Sequence, residues 1–350
     1  MTVERRSSFE GGGGRRAGMT TAERSSPFEG GGGGRTAWIT GVGLAVDGLR
    51  GAADLLAEYT RHPDGFDPRT ALTGREMRHR DRASRLALRS AGAALRDAGL
   101  LSDDGGYHGP ARRTAVVVSS NLGNLDTVCS FLDTIDQETS KGLKATGLPH
   151  TSSNSIAGWV AIGYGLTGPN LTLCNGPSSG LDALHWARIL LVTGRADLVL
   201  VTGVEPDNEY TARLLADEGE RRWPDSAASV VVEAAEHADS RGARARSVLH
   251  GYARAADVGA AMTAAAEGGG PLGLLAAEHS ALDALPGAAT APAVTDLSRW
   301  AGRQSGALGV LQAAAAVAHF DRGADGAVLA ASCRLPGGTA AALLCAAPTS

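Results

Sequence analysis

The chain has 350 residues, of which 43% are apolar, and a formal net charge of -4 at pH 7. A chain of this length can bury one large core or two modest ones without metals or disulfides. Its slightly acidic balance provides no basic field for nucleic acid or an anionic membrane, so composition disfavours both partners.

Four cysteines are spread along the chain without a CxxC pair or a metal-ligand spacing: Cys129, Cys174, Cys333 and Cys345. This pattern predicts neither a disulfide framework nor a zinc site, and the sequence indicates no other metal or cofactor. No stretch approaches the roughly 18 uninterrupted apolar residues that a membrane helix needs. We therefore expect a protein of the reducing cytoplasm.

Residues 1–36 form a leader built on a tandem repeat. Glu4 opens ERRSSFEGGGG and Glu23 opens ERSSPFEGGGGG, and each copy shortly follows a methionine and a threonine. This Gly/Ser/Arg-rich composition cannot bury enough apolar surface to offset chain entropy, so we predict that the leader is disordered. Met19 is an alternative start of the chain, and the sequence leaves the choice open.

Strands and helices alternate after the leader. AWITGVGLAV from Ala37 is typical of a buried strand that turns into a loop, and TAVVVSS from Thr114 is a continuous apolar strand. Between them, DRASRLALRSAGAALRDAGL from Asp81 has helical spacing and ends in glycine. The order predicts an α/β fold.

The stretch from Asn170 to Gly203 predicts a sharp elbow between a strand and a helix. It contains a strand, a turn at 175–177, a helix that begins at Ser178 or Ser179, and a second strand. Such an elbow aims backbone N–H groups and a helix dipole at one point, where enzymes often place an activated nucleophile. The geometry is suited to catalysis.

A comparable unit recurs near the C-terminus. Ser305-Gly306 starts GALGVLQAAAAVAHFDRGADGAVLAAS, again a helix, a Gly-Ala-Asp turn and an apolar strand. Both helices are apolar around most of their circumference, so we predict that they are buried in two similar halves. This connection is common in α/β proteins, and spacing alone leaves duplication and coincidence equally open.

Several segments resemble the β-ketoacyl synthase family of the thiolase fold, in family order. They include ITGVG from Ile39, NSIAGWVAIGYGLTGPNLTLC from Asn154, SGLDAL from Ser179, GRADLVLVTGVE from Gly194 and AGRQSGALG from Ala301. The resemblance extends from about Ala37 to Leu344. It implies a thiolase-like, five-layered αβαβα fold with two similar halves, residues 37–245 and a shortened half at 246–350.

The resemblance also shows which chemical groups are missing. The family elbow reads like TACASGLDA, and its cysteine nucleophile falls on Pro177, which lacks both the thiol and a backbone N–H for the oxyanion. The lysine and histidine of a second motif fall on Ser298 and Arg303. A third motif, HGTGT, has no counterpart, because His279 is the only histidine between residues 251 and 293 and has the setting of a helix surface residue.

Three further positions have a weaker claim to the chemistry. The closing loop appears as LPGGTA from Leu335, with Pro336 where the family has an aromatic gate. Cys174 lies three residues before the nucleophile position, and we expect it to be inert inside the strand. Ser178 is a weak candidate nucleophile, because the family bases are absent and capping of the helix explains it.

A scaffold without its chemistry implies an architectural role. Within the family, the precedent is the chain-length-factor subunit of type II polyketide synthases, which pairs as a heterodimer with a catalytic ketosynthase subunit. Such subunits usually keep the full family length and often carry glutamine at the lost cysteine, and this chain differs in both respects. By family analogy, 119–132 and 154–166 line the dimer face.

Alternatives and a second partner stay open. An acyltransferase using Ser178 and a structural homodimer are the other functions compatible with the sequence. The arginine-rich helix face from Arg75 to Arg89 could meet an acidic acyl carrier protein, although a solvated charge run accounts for it equally. Product, chain length and the identity of the partner are not encoded in any recognisable motif.

Overall fold

The computed structural model describes residues 23–24, 35–217, 222–278, 293–303, 305–333 and 339–348. In this part of the chain the strands are β1 (Glu23–Arg24), β2 (Ala37–Val46), β3 (Thr114–Ser119), β4 (Asn170–Leu173), β5 (Leu198–Glu205), β6 (Ser226–Ala234), β7 (Ser247–Ala255), β8 (Leu272–Ala276), β9 (Ala293–Thr295), β10 (Ala327–Cys333) and β11 (Ala340–Ala346).

The α-helices of the same part are α1 (Pro68–Ala71), α2 (Arg82–Asp97), α3 (Leu125–Glu138), α4 (Ser155–Tyr164), α5 (Ser179–Val192), α6 (Glu209–Asp217), α7 (Ala235–Ser240), α8 (Val258–Ala266), α9 (Ser298–Ala301) and α10 (Leu308–Asp321). The predicted helix after Asp81 is confirmed as α2. The Asp81 carboxylate accepts the N–H of Ser84, and Gly99 beyond the last turn adopts a φ of 66°. None of the helices that the structure describes is long and apolar enough to span a bilayer.

The strands form two units with the same order. The first unit runs β4-β3-β5-β6-β2 and the second runs β9-β8-β10-β11-β7. In each unit the first two pairings are parallel and the last two are antiparallel. The duplication that spacing left open is therefore present in the topology. The units join where β2 pairs briefly with β7, at Trp38 with Val248 and Ile39 with Ser247.

Alternating burial divides the strands between layers. Val117 of β3 faces a central core that it shares with α5, α10 and strands of both units, whereas Val116 and Val118 face an outer core with α2 and α4. Alternate residues of the second unit, such as Leu275 and Leu329, pack with α8 in a third core. Since successive side chains of a strand point to opposite faces, these three cores define five layers, αβαβα.

The two central helices cross at glycines. A Cβ on Gly180 would lie 2.7 Å from the Cα of Gly309, and a Cβ on Gly309 would lie 2.3 Å from the backbone N of Leu181. Only hydrogen fits at this crossing. The prediction of burial is confirmed for α10, which is buried from Leu308 to His319. It holds only in part for α5, because the side of that helix that carries Trp186 is exposed.

The units differ in the connections at the carboxyl ends of their strands. Residues 120–169 join β3 to β4, whereas residues 277–292 make the corresponding connection from β8 to β9. The longer connection contains α3, none of whose residues is buried. The main contacts of α3 are with α6 and with the 3₁₀ turns at 139–142 and 145–151. The division at residue 245 proposed from the sequence falls between α7 and β7.

The leader is described only at Glu23–Arg24 and from Arg35 onward. Glu23 and Arg24 form β1, which pairs antiparallel with Arg254 and Ala253 of β7, so the backbone here departs from the predicted disorder. Arg35 donates to Asp197 at 3.1 Å, which ties the end of the leader to the first unit. The rest of the predicted leader, 1–22 and 25–34, lies outside the described residues.

Candidate functional site

The predicted elbow is present at the carboxyl end of β4. The strand ends at Leu173, a single 3₁₀ turn covers 176–178, and α5 begins at Ser179. Gly176 adopts a φ of 72°, which favours glycine because it has no Cβ. Pro177 is buried in this turn, so the position to which the resemblance assigns the family nucleophile holds an apolar ring with neither a thiol nor an N–H.

Ser178 donates to a carboxylate instead of capping the helix, so the capping prediction is wrong. Its side chain makes no cap hydrogen bond, and its Oγ lies 2.9 Å from Oδ2 of Asp182. The neighbouring Ser179 contacts the turn, because its Oγ accepts the N–H of Asn175 at 2.6 Å. Ser178 is only 2% exposed.

The Asp182 carboxylate is fully engaged by groups from both units. Besides Ser178, it accepts from the Asn175 side-chain amide at 2.8 Å and from the Tyr252 hydroxyl, and the Arg254 guanidinium lies 3.7 Å away. Tyr252 and Arg254 belong to β7, so this carboxylate joins the elbow to the second unit. Ser178 therefore shares its acceptor with Asn175 and Tyr252.

His185 does not supply the missing base. Its ring stacks on Tyr252 with centroids 4.0 Å apart. Burial and, to a lesser extent, the Arg188 charge lower the pKa of His185 to about 4. Its Nδ1 is buried without a hydrogen-bond partner among the described residues. The ring is neutral at physiological pH and is not hydrogen-bonded to Ser178 through Nδ1.

A second polar network lies behind the elbow. Asn121, just after β3, accepts the N–H of Gly176 at 3.1 Å and the Ser179 hydroxyl at 2.9 Å, and its side-chain amide donates to the Gly176 carbonyl. The backbone N–H of Asn121 donates in turn to Glu205 at the end of β5. Neither residue was predicted from the sequence to have a role. The available signal was a single acid at the end of the mostly apolar run LVLVTGVE.

Glu205 is 1% exposed and accepts hydrogen bonds from both units. Its carboxyl oxygens accept the N–H of Leu122 and the N–H of Gly306, each at 3.0 Å, in addition to that of Asn121. Burial raises the pKa of Glu205 to about 7, although these backbone N–H groups act in the opposite direction. A buried acid that titrates near neutral pH therefore lies beside the elbow.

The second group of family positions lies beside a small cavity in the second unit. Ser298 donates to Asp296 at 2.6 Å, and the Arg303 guanidinium lies 3.0 Å from Glu278. With Gln312 they line a cavity of about 10 Å³, which has room for about one water molecule. The structure therefore places Ser298 and Arg303 together, but neither holds a base in the place of the family lysine and histidine.

Cys174 is located differently from the prediction. It follows β4 instead of lying inside the strand, and the residue is exposed. Partial desolvation of its thiol and, second, the Glu205 carboxyl raise the pKa of Cys174. A raised pKa reduces the thiolate fraction, so Cys174 is a poor nucleophile at neutral pH, as expected. All four cysteines are free.

The remaining predicted positions fall elsewhere. His279, Leu335 and Pro336 lie outside the described residues. Within the described ranges, no group of three or more His, Cys, Asp or Glu side chains is placed to hold a metal ion.

An exposed apolar face surrounds the edge strand of the first unit. β4 ends the strand order, α4 packs on one side of it and α5 on the other. Ile162 of α4 is 69% exposed and Trp186 of α5 is 43% exposed. Leu132 of α3 adds a further side chain that is 60% exposed. An unpaired strand edge beside exposed apolar side chains is typical of a pairing surface.

Comparison with known proteins identifies the scaffold. Residues 47–219 match the model of the β-ketoacyl synthase N-terminal domain. The chain belongs to the β-ketoacyl synthase family. It is 25% identical over 242 residues to 3-oxoacyl-[acyl-carrier-protein] synthase 2 of Vibrio cholerae, covering 63% of this chain and 57% of that protein. It is 29% identical over 266 residues to a protein named polyketide beta-ketoacyl synthase 1 in Streptomyces halstedii, covering 61% and 62%. The chain therefore spans less than two thirds of these relatives.

Solved structures agree on the thiolase-like fold. The ishigamide ketosynthase/chain length factor superposes with a TM-score of 0.73 at 24% identity, over 90% of this chain and all of that one. A type II polyketide synthase ketosynthase, solved with its acyl-carrier protein and bound to the hexaketide, gives 0.71 at 17% identity over 91% and 100%. At these identities the likeness establishes the fold of this β-ketoacyl synthase relative and leaves its activity open.

Proposed function

We propose that this protein is a non-catalytic ketosynthase-like subunit, similar to a chain-length factor, that pairs with an active β-ketoacyl synthase in polyketide or fatty-acyl-chain assembly. The observation that carries the proposal is Pro177, buried in a well-formed elbow at the position of the family nucleophile. The elbow retains its glycine turn, its helix and its Asn121 contacts, so the scaffold is kept while the reactive group is lost.

The other family positions support the absence of catalysis. Decarboxylative condensation needs a nucleophile and proton-handling groups. Ser298 and Arg303 stand where the resemblance places the family lysine and histidine, and both are engaged with the acids Asp296 and Glu278. The acyltransferase alternative is disfavoured, because Ser178 is buried and its carboxylate partner also accepts hydrogen bonds from Asn175 and Tyr252.

The exposed face at β4 supports pairing. Stable obligate interfaces bury on the order of 2,000 Å² or more and are rich in apolar side chains. β4 presents an unpaired edge, and Ile162 and Trp186 lie on its two sides. One fold neighbour is itself titled a ketosynthase/chain length factor, which favours a ketosynthase over a second copy as the partner.

An acyl carrier protein is a second proposed partner with narrower support. The arginine-rich segment is less free than the sequence suggested, because Arg82 is paired with Asp225 and Arg85 donates to the backbone of Arg80. Arg75 and Arg78 are exposed and leave a smaller basic surface for an acidic carrier protein.

The test is co-purification with a cysteine-bearing ketosynthase encoded by a neighbouring gene. Ile162→Arg should abolish pairing, because it buries a charge at the β4 edge. Ala57→Arg is the matched control, since Ala57 is exposed and lies near β9 at the opposite end of the strand order. Circular dichroism of each variant verifies folding. Wild-type protein that stays monomeric at tens of micromolar, with no affinity for the ketosynthase, would sink the proposal.

Amine labelling gives an independent readout of the same face. Lys141 and Lys144 are the only lysines of the chain, and both are exposed just after α3. If α3 is part of the interface, the ketosynthase should protect both from an acylating reagent. A homodimer would show equal protection without the ketosynthase. Acyl transfer by the chain alone that is lost in Ser178→Ala would favour the acyltransferase.

A further inference from the structure

The buried carboxyl group of Glu205 connects loops that belong to different units. Asn121 and Leu122 follow β3 in the first unit, and Gly306 precedes α10 in the second. All three donate their backbone N–H groups to this one side chain. Such a group costs free energy to bury unless its acceptor capacity is used, and here both oxygens are used.

At Gly306, in the loop before α10, the packing has room only for glycine. A Cβ on Gly306 would lie 2.6 Å from the Cα of Ser120 and 2.9 Å from Oε1 of Glu205, so the loop approaches as closely as a backbone can. The Ser119 hydroxyl donates to the Gly306 carbonyl at 2.6 Å. Gly306 is therefore held on both its N–H and its carbonyl side.

We propose that Glu205 is a positioning residue, which fixes the start of α10 and the loop after β3 relative to each other and, through Asn121, holds the elbow. The path is continuous. Glu205 binds the backbone of Asn121, and the Asn121 side chain binds Gly176 and Ser179 on either side of Pro177. This role is independent of whether the chain pairs with a ketosynthase.

The reactivity of the Cys174 thiol can report on the charge of Glu205. Cys174 is the titratable group that its charge affects, because the carboxyl raises the pKa of that thiol. The loop after β3 and the loop before α10 contribute backbone N–H groups to Glu205. Because the pKa of Glu205 is raised to about 7, its negative charge beside the thiol develops near neutral pH.

Hydrogen exchange of the full chain tests the positioning. In Glu205→Gln, which keeps one acceptor oxygen, amide exchange in peptides covering 119–123 and 305–308 should accelerate several-fold, and in Glu205→Met, which keeps none, by tenfold or more. Glu233→Gln is the matched control, because Glu233 is another buried acid of the first unit that binds Arg241 instead of these loops. Unchanged exchange at both loops in Glu205→Met would overturn the proposal.

The wild type provides a second test if the variants fold poorly. Exchange at these loops, corrected for intrinsic rates, should be faster above pH 7 than below pH 4.5, because opening returns Glu205 to water and becomes easier once this buried group is ionised. Alkylation of Cys174 by iodoacetamide, followed by peptide mass spectrometry, should rise less than tenfold per pH unit near pH 7, because ionisation of Glu205 opposes formation of the thiolate. A tenfold rise per unit from pH 6 to 8, with pH-independent loop protection, would refute it.

Discussion

The two units of the molecule share one strand order but differ in the loops that follow their strands, where the resemblance places the reactive groups of the family. Each unit has two parallel pairings followed by two antiparallel ones and sends one helix into the central layer. The first unit adds residues 120–169 between its second and third strands, whereas the second uses only residues 277–292. The common part is the packed core, and the divergence is confined to connections at the carboxyl ends of the strands.

This difference suggests that a β-ketoacyl synthase scaffold tolerates replacements at the positions where the resemblance places its reactive groups. The core is held together where α5 and α10 cross at glycines and small apolar residues. Substitutions in the loops do not change this crossing. The resemblance places the family nucleophile in the first unit, at Pro177, and the family lysine and histidine in the second, at Ser298 and Arg303. The strand order is nevertheless the same in both units.

The largest effect is expected from a substitution that widens the crossing of α5 and α10, which packs the first unit against the second. Gly309→Ala places a Cβ 2.3 Å from the backbone N of Leu181, so α5 and α10 must separate. We expect a loss of about 3 kcal/mol or more in the free energy of unfolding, measured by urea titration. Gly158→Ala on α4 meets nothing within 4 Å and should be neutral or up to about 1 kcal/mol more stable. Equal stability of the two variants would contradict the close packing of α5 on α10 at Gly309.

The pH dependence of stability sharpens the comparison, because Glu205 of the first unit also binds the second. Its pKa is about 7 when folded and 4.5 in its ordinary environment, so between these values the folded chain holds a proton that the unfolded chain has released. Stability from this group is complete below pH 4.5 and falls as pH rises toward 7. The loss is on the order of 3 kcal/mol.

Urea titrations at pH 5 and pH 8 measure this contribution. The wild type should lose about 3 kcal/mol more between the two values than Glu205→Gln, in which the group cannot ionise. The difference between the wild type and Glu205→Gln cancels the contributions of other acids to the pH dependence. One of these is Asp197, whose pKa Arg113 lowers to about 2. Parallel pH profiles for the two proteins would show that Glu205 keeps its ordinary pKa.

The fold could be predicted from the sequence because the signals for its elements are local. The apolar runs, the glycine turn at the elbow and the family segments all predict elements that the structure contains. The networks at Asp182 and Glu205 could not be predicted, because their partners are far apart in the chain: Tyr252 lies on β7 and Gly306 precedes α10. The capping prediction for Ser178 was wrong for a local reason, since its hydroxyl donates to Asp182 four residues along the chain.

The leader tests how much the β7 edge depends on its short partner strand. Deleting residues 1–34 removes only the two-residue pairing of β1 with Arg254 and Ala253 from the described contacts. We expect the melting temperature to change by no more than about 2 °C, by differential scanning fluorimetry. Deleting residues 1–18 should change it less, since β1 is retained. A drop of several degrees would show that the leader is docked on the folded part of the chain.

The smallest effect should come from restoring the nucleophile alone. Pro177→Cys returns a thiol to the first unit, but Ser298 and Arg303 remain in the second, and neither can perform the proton transfers of decarboxylation. We expect no condensation of malonyl units, measured with radiolabelled malonyl and acyl carrier proteins. Wild type should also retain no labelled acyl group. The outcome separates the units: if Pro177→Cys condenses, the second unit still carries the necessary chemistry, and Pro177 alone accounts for the inactivity of the wild type. If the variant only becomes acylated, the elbow of the first unit still binds acyl chains, and the losses in the second unit are sufficient by themselves to abolish condensation.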